Sequence, residues 1–479
     1  MTVHSSEKSI VPYRLYSTLT KDEIDNLFSP HSAHCRCYNE LLSDLEYNNN
    51  CIQLNSLPLI AQVEVTTKCN IKCVHCGRID WLLSGVFGDK ARALKGEDIA
   101  WDTFQCIIPI LPYVKLCIVS GFGEPLLYSR FQEMIEIIRK YGADIHFTTN
   151  GLLLDREMVK FLIERQAYII AISLDAATSK TYDSIRKGSN FEKVIENIHN
   201  FALMKIRAKS SRPEIRLDFI AMRRNIEELP QFVELAHRLG ADAVLVDYLR
   251  VLTEDMKADS LYFHQDLANK YILDARTTAK KLGIKLDDYG LFGHESVEKQ
   301  AAPTKCKDVW NKVYIQFDGT IYPCCLCKTP MGSLRSHSIV EIWNNQAYQD
   351  LRYSFVAGNP PDHCKYCLFS SSRDIINKRG THIGFEREPQ KELIIPQSNI
   401  KFVPPTDEDT LRKEYNNLVD YAKYLEVYKL ICNKKPVESS KPLEDTSAWQ
   451  ITKPLLQKLL PTSYYDSLRK WYHTFKTHF

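Results

Sequence analysis

Ile60-Ala-Gln-Val-Glu-Val-Thr-Thr-Lys-Cys69-Asn-Ile-Lys-Cys73-Val-His75-Cys76 is an apolar, β-rich run that leads straight into three closely spaced cysteines. The run from Leu59 to Val65 reads as a buried strand. Thiolates placed just after a strand lie at its carboxyl end, where parallel α/β sheets bind their ligands. Iron–sulfur clusters are usually held by four cysteines, so a tight group of three leaves one iron of a cubane open to a small molecule. An open iron implies chemistry rather than electron storage alone. Zinc is the alternative, because Cys-x2-4-Cys with a second pair downstream also binds zinc, but zinc ribbons pair cysteines two by two and this group is a triplet.

Outward from this stretch, short apolar runs alternate with amphipathic segments up to about residue 250, the pattern of βαβ units and a parallel sheet. The expected strands are Ile60 to Val65, Lys115 to Val119, Asp144 to Thr148, Tyr168 to Leu174, Ile215 to Met222 and Ala243 to Tyr248. Between them, Phe131 to Arg139, Glu157 to Glu164, Phe191 to Met204 and Leu229 to Leu239 carry apolar residues at helical spacing, the last closed by Gly240 as a C-cap.

The spacing Cys-x3-Cys-x2-Cys, with His75 before the last cysteine, resembles the signature of the radical S-adenosylmethionine (SAM) enzymes. The resemblance implies an α/β fold with a partial (βα)6 TIM-type barrel at residues 59–290. It also implies a 4Fe-4S cluster on Cys69, Cys73 and Cys76, whose open iron chelates the amino and carboxylate groups of SAM. An electron from the cluster then splits SAM to a 5'-deoxyadenosyl radical that takes hydrogen from the substrate. Ser120-Gly-Phe-Gly123-Glu124-Pro-Leu126 is similar to the family's Gly-Gly-Glu-Pro element, with Phe122 in place of the usual first glycine. By resemblance, Gly123 and Glu124 hold the amino group of SAM. Ser173 and Arg186 match residues that bind its carboxylate, Asp175 one that lies near its ribose, and Asn225 the region that flanks its adenine. Asn150-Gly151 is a turn signal in its own right, and a loop turn accounts equally for Asn225.

A second cysteine group begins at Cys306 and continues through Cys324, Cys325 and Cys327 to Cys364 and Cys367. Between its first members, Val313, Ile315 and Phe317 alternate with polar residues ahead of Asp318-Gly319, which predicts a hairpin with a two-residue turn. A helical stretch, Val340 to Phe355, follows. This order resembles the SPASM or twitch domain of radical SAM enzymes, which implies a small α+β domain at residues 300–372. Cys306, Cys324, Cys364 and Cys367 would there ligate one auxiliary 4Fe-4S cluster. Cys325 and Cys327 are spare: either could replace Cys324, sit near substrate, or stay inert. Four thiolates also suit a structural zinc. His264, His294 and His363 carry no assignment.

With 479 residues the chain exceeds the size at which one core keeps growing, so more than one domain is expected. A net charge of +3 argues against nucleic acid as the main partner. The 15 cysteines are clustered rather than spread as a disulfide framework, and the polar N-terminus lacks a signal-peptide core. A reducing, cytoplasmic setting is the expectation. No apolar run is long enough to span a membrane. Residues 1–58 form an extension with a helix over Lys21 to Phe28. Residues 400–479 form a helical C-terminal extension, with a helix over Glu408 to Leu430 and a basic amphipathic tail over 446–479. Such a tail can contact a membrane surface peripherally, at the inner face.

The resulting expectation is a radical SAM enzyme fed by a flavodoxin or ferredoxin-type electron donor. It would oxidise a small-molecule, sugar-type substrate, a carbohydrate or polyol, by two electrons. Peptide maturation by crosslinking or epimerisation is the alternative within the enzyme class, and a non-catalytic iron–sulfur or zinc scaffold the alternative outside it.

Overall fold

The computed structural model describes residues 32–76, 96–251, 254–292, 306–327, 329–361 and 364. The helices expected over Lys21 to Phe28 and Glu408 to Leu430, the tail, and Cys367 lie outside the described residues. Among the described residues, no helix is long and apolar enough to cross a membrane.

The strands, in chain order, are β1 (Ile60–Val63), β2 (Lys72–Cys73), β3 (Leu116–Val119), β4 (Asp144–Thr149), β5 (Ile169–Ser173), β6 (Arg186–Lys187), β7 (Glu214–Ala221), β8 (Ala243–Tyr248), β9 (Lys285–Asp288), β10 (Lys312–Ile315), β11 (Thr320–Tyr322) and β12 (Gly332–Ser333). Ten of them form one sheet in the order β12-β11-β10-β1-β3-β4-β5-β7-β8-β9. Every ladder from β10 to β9 is parallel, and the two that add β11 and β12 are antiparallel. The six strands expected from sequence are thus consecutive in the sheet, as a partial (βα)6 barrel requires. β9 extends one flank, and β10 pairs directly with β1 across the boundary expected between barrel and auxiliary domain.

Local chemistry explains the element ends. Asp155 and Asn190 cap the helices Arg156–Glu164 and Phe191–Arg207 by accepting main-chain N–H bonds from Met158 and Lys193. Gly240 closes Leu229–Leu239 in the left-handed conformation, φ 79°. Phe147 packs edge to face on Phe131, and Phe219 on Phe232, so these strand residues point toward the helices. Their neighbours His146, Thr148, Asp218 and Ile220 consequently face the opposite, concave side of the sheet.

Two expectations are corrected. The hairpin loop has three residues, Phe317, Asp318 and Gly319: Gly319 N–H reaches Gln316 O and Gln316 N–H reaches Thr320 O. Only Gly319 among them takes positive φ, 87°, the geometry of a turn followed by a glycine bulge. The single helix expected over Val340 to Phe355 is two, Ile339–Trp343 and Gln346–Val356. Asn344 leaves the helical path because its side chain bonds both Leu54 N–H and Leu54 O, and Asn345 then caps the second helix.

The segment before β1 contains a helix, Ser32–Asn48, that sequence reading did not anticipate. Residues 51–58 after it are stapled to the auxiliary segment. Trp310 Nε1 donates to Cys51 O, Trp343 Nε1 to Ser56 O and Arg352 Nη1 to Ile52 O.

Candidate active site

Past β1, the chain enters the cysteine loop, which is gripped on two sides. Lys72 and Cys73 pair antiparallel with Lys187 and Arg186 in a small separate sheet, and Val74 N–H donates to Ile185 O at 2.9 Å. Opposite, Glu124 N–H donates to Lys68 O at 2.7 Å. Gly123 lies so close to the loop that a Cβ there would stand 2.2 Å from Thr66 O and 2.6 Å from Lys68 O, so no side chain fits.

Glu124 is 2% exposed, and donors from the next strand end surround its carboxylate. Thr149 Oγ1 donates to Oε1 at 2.8 Å and Asn150 N–H to Oε2 at 2.7 Å. Burial raises its pKa while these donors pull the other way. Asn150 Nδ2 in turn donates to Asn70 Oδ1 at 2.7 Å, returning the network to the cysteine loop. The ends of β1, β3 and β4 are thereby locked together around Gly123.

Asp175 organises the other flank. It is fully buried at φ 62°, an uncommon conformation for a non-glycine residue. Its Oδ1 accepts Ile220 N–H at 2.8 Å. Oδ2 lies 2.6 Å from Arg186 Nη2 and 3.5 Å from His75 Nε2. Arg186 Nη1 also points at Cys73 Sγ, 3.6 Å away, while its Nε has no partner among the described residues. Sequence reading gave Arg186 to the SAM carboxylate and Asp175 to the ribose. Here the arginine fork is engaged by Asp175 and the Cys73 thiol, and Asp175 faces inward. Asn225, expected beside the adenine, is fully buried with its amide spent on main chain: Nδ2 donates to Asp175 O and Ile220 O, and Oδ1 accepts Met222 N–H. It braces the Asp175 turn. Ser173, at the end of β5, is half-buried and aligned with Asp218 of β7.

The donor set suits the cluster that the spacing implies. Cys69, Cys73 and Cys76 are partly exposed, and the Cys73 thiol feels both of the others. Burial pushes that thiol up to about 12, with the Arg186 guanidinium acting against the rise. Metal ligation demands deprotonation, and a fixed guanidinium at 3.6 Å offsets thiolate charge. Among the described residues, no three His, Cys, Asp or Glu side chains could share a single ion. A cubane has no such requirement, since each thiolate bonds its own iron.

The second cysteine group lies at the opposite end of the sheet. Tyr322 pairs with Tyr314 on the returning strand β11, so Cys324, two residues on, falls level with Lys312 at the start of β10. Lys312 senses both Cys324 and Cys325. The four paired rungs of β1 and β10 therefore separate the two groups by at least about 10 Å. Cys306 lies near Tyr47, Cys364 N–H bonds Pro361 O, and the buried Cys327 directs its thiol at Thr329 O.

Between the two ends, the concave face is polar. Tyr314, Gln62, Ile118 and His146 align across β10, β1, β3 and β4. One rung further on, Thr148, Ala171 and Arg216 align. Arg216 grips Asp218 with Nε and Nη2 at 2.7 and 3.0 Å. Burial, then the charges of Arg216 and Lys312, lower the His146 pKa to about 3, so the ring is neutral; its buried Nε2 has no hydrogen-bond partner among the described residues. Sequence reading missed His146, Arg216 and Glu64. The one available signal was a set of charged residues at alternate positions inside otherwise apolar strands.

Comparison with known proteins finds a family match for each of the two cysteine-bearing segments. The radical SAM superfamily model matches residues 63–236, and the SPASM iron–sulfur cluster-binding domain model matches residues 306–368. The chain is 25% identical over 317 residues to a tungsten-containing aldehyde ferredoxin oxidoreductase cofactor-modifying protein of Pyrococcus furiosus, covering 61% of this chain and 82% of that protein. It is 26% identical over 330 residues to the AdoMet-dependent heme synthase of Methanosarcina barkeri, covering 63% and 86%. It is 28% identical over 187 residues to the mycofactocin maturase MftC of Mycobacterium tuberculosis, covering 38% and 43%. With the first model spanning the cysteine loop and most barrel strands, and the second the segment that pairs with β1, the chain carries a radical SAM domain followed by a SPASM domain.

Proposed function

We propose that this radical SAM enzyme removes two electrons from a hydroxyl-rich substrate, a carbohydrate or polyol, held on the concave face between the two cysteine groups. The observation that carries the reading is the polar face itself, where Gln62, His146, Thr148 and the Arg216–Asp218 pair stand between loops at opposite strand ends. Cys69, Cys73 and Cys76 would hold the SAM-binding cluster, and Cys306, Cys324, Cys364 and Cys367 the auxiliary one. When bound, these groups supply a hydrogen-abstracting radical at one end of the barrel and an electron acceptor at the other.

The chain's own residues do the rest. Gly123 keeps main chain open to the SAM amino group while Glu124 holds the turn rigid through Thr149 and Asn150. His146, neutral at physiological pH, offers a hydroxyl group a hydrogen-bond partner without adding charge. Arg216 and Asp218 neutralise each other and present a fixed array of donor and acceptor edges. The surrounding strands and helices shield the reacting carbon from water.

The test is anaerobic turnover of the reconstituted enzyme with SAM, dithionite and a panel of carbon-deuterated sugars and polyols. Deuterium entering 5'-deoxyadenosine from one of them, with the signal lost in Cys73→Ala, supports the reading. A second reading, peptide maturation, is favoured by the match to the mycofactocin maturase. Deuterium transfer from a small peptide but from no sugar or polyol would favour that reading.

A further inference from the structure

Glu64 follows β1 directly, and none of its surface reaches solvent. Its Oε1 accepts Phe122 N–H at 2.8 Å, and Gly121 lies so close that an added Cβ would stand 2.4 Å from Glu64 Cγ. From the auxiliary side, Glu64 N–H donates to Ile315 O at 2.9 Å. The Tyr314 hydroxyl and Phe317 N–H both approach the carboxylate and favour its charged form, while Asp318 on the same turn opposes it. Among the described residues, Oε2 makes no hydrogen bond of good geometry. An acid sealed between Val63 and Val65 costs the fold a carboxylate's desolvation, which a residue serving only as packing would avoid.

We propose that Glu64 is a positioning residue that sets the Gly121–Gly123 turn against the Tyr314–Phe317 hairpin, so that the SAM-side turn and the auxiliary segment keep one register. The inference rests on reading that turn as the SAM site. Glu64 touches the glycine turn through Phe122 N–H and the hairpin through Tyr314 and Phe317. The titratable and charged groups facing it are Tyr314 on β10 and Asp318 on the turn; the glycine turn faces it through main chain. Burial holds the carboxyl up at about 7, so it changes charge in the neutral range. The ionised form accepts the stronger bond from Phe122 N–H, and the turn is tightest when Glu64 is charged.

The experiment measures SAM binding by equilibrium dialysis to anaerobically reconstituted holoenzyme from pH 6 to 8.5, with iron content and far-UV circular dichroism as controls. Because SAM itself titrates, the reading is the difference between wild type and Glu64→Gln. The glutamine keeps an acceptor for Phe122 N–H but carries no charge. The expected result is wild-type affinity that rises with pH relative to Glu64→Gln, and binding to Glu64→Ala weaker by about tenfold. Tyr314→Phe, which removes a donor that favours the charged form, should move the midpoint of the wild-type profile to higher pH. A folded, iron-replete Glu64→Gln whose pH profile superimposes on wild type overturns the proposal while leaving the SAM site intact. Wild-type protein that binds no SAM at any pH overturns the site reading first and this inference with it.

Discussion

Gly123 and the Asp175–Arg186 pair illustrate how little freedom single residues have around the cysteine loop. Gly123→Ala must push a methyl into Thr66 O, so the loop has to move. Reconstituted Gly123→Ala should retain iron yet bind SAM at least about tenfold more weakly, a comparison equilibrium dialysis makes directly. Arg186→Met strands the Asp175 carboxylate in a fully buried setting, and removing one partner of a buried pair typically costs about 3 kcal/mol or more. Denaturant unfolding of the metal-free protein reads this, and an Asp175→Asn, Arg186→Met double variant should lose less than the sum of the two. His146 and Glu64 change stability with pH in opposite directions. The His146 pKa lies at about 3, below its ordinary 6.5, so the unfolded chain binds the extra proton and stability falls as pH drops below about 6.5. The Glu64 pKa lies at about 7, above its ordinary 4.5, so stability falls as pH rises from about 4.5 to 7. Between pH 4.5 and 6.5 the two slopes oppose. Melting temperatures of His146→Gln should therefore decline more steeply with rising pH than wild type, and those of Glu64→Gln should climb more steeply. The cysteines and the Gly123-Glu124 pair were legible because motif spacing is local. The bonds from Asn150 to Asn70, Asp175 to Arg186 and Glu64 to Phe122 join strand ends distant in sequence, and no local pattern records them.

At the scale of elements, the strand Ala243–Tyr248 and the helix Leu229–Leu239 fall where apolar spacing and caps put them, because both signals act over a few residues. Gly240→Ala tests one such signal. Its Cβ would stand 2.9 Å from Ala202 Cβ in a left-handed conformation, so a loss of about 1 to 2 kcal/mol is expected in thermal unfolding, with SAM binding unchanged. The partners of β9 and β10 were not legible. Lys285–Asp288 alternates weakly, and Lys312–Ile315 reads as half of a hairpin whether or not its other edge pairs with β1. The split of the helix at Asn344 follows from a contact with Leu54, far away in the chain, so helical spacing alone could not place the break.

Across the whole molecule, the expected division into barrel and auxiliary domain describes sequence order better than it describes hydrogen bonding. β1 has β3 on one side and β10 on the other, and residues 51–58 bond to Trp310, Trp343, Asn344 and Arg352. A chain ending at residue 292 would bare one edge of β1 and the apolar surfaces that Trp310 and Trp343 cover. Unpaired edges of this kind template association, so that truncation should appear in the insoluble fraction on centrifugation while full-length protein stays soluble.

The bond from Leu54 to Asn344 joins residues 290 apart. During synthesis at roughly 5 to 20 residues per second, β1 must wait tens of seconds for β10, its second neighbour. The barrel's opening strand is then the last of the barrel strands to be completed, and one of its edges stays unpaired through that interval.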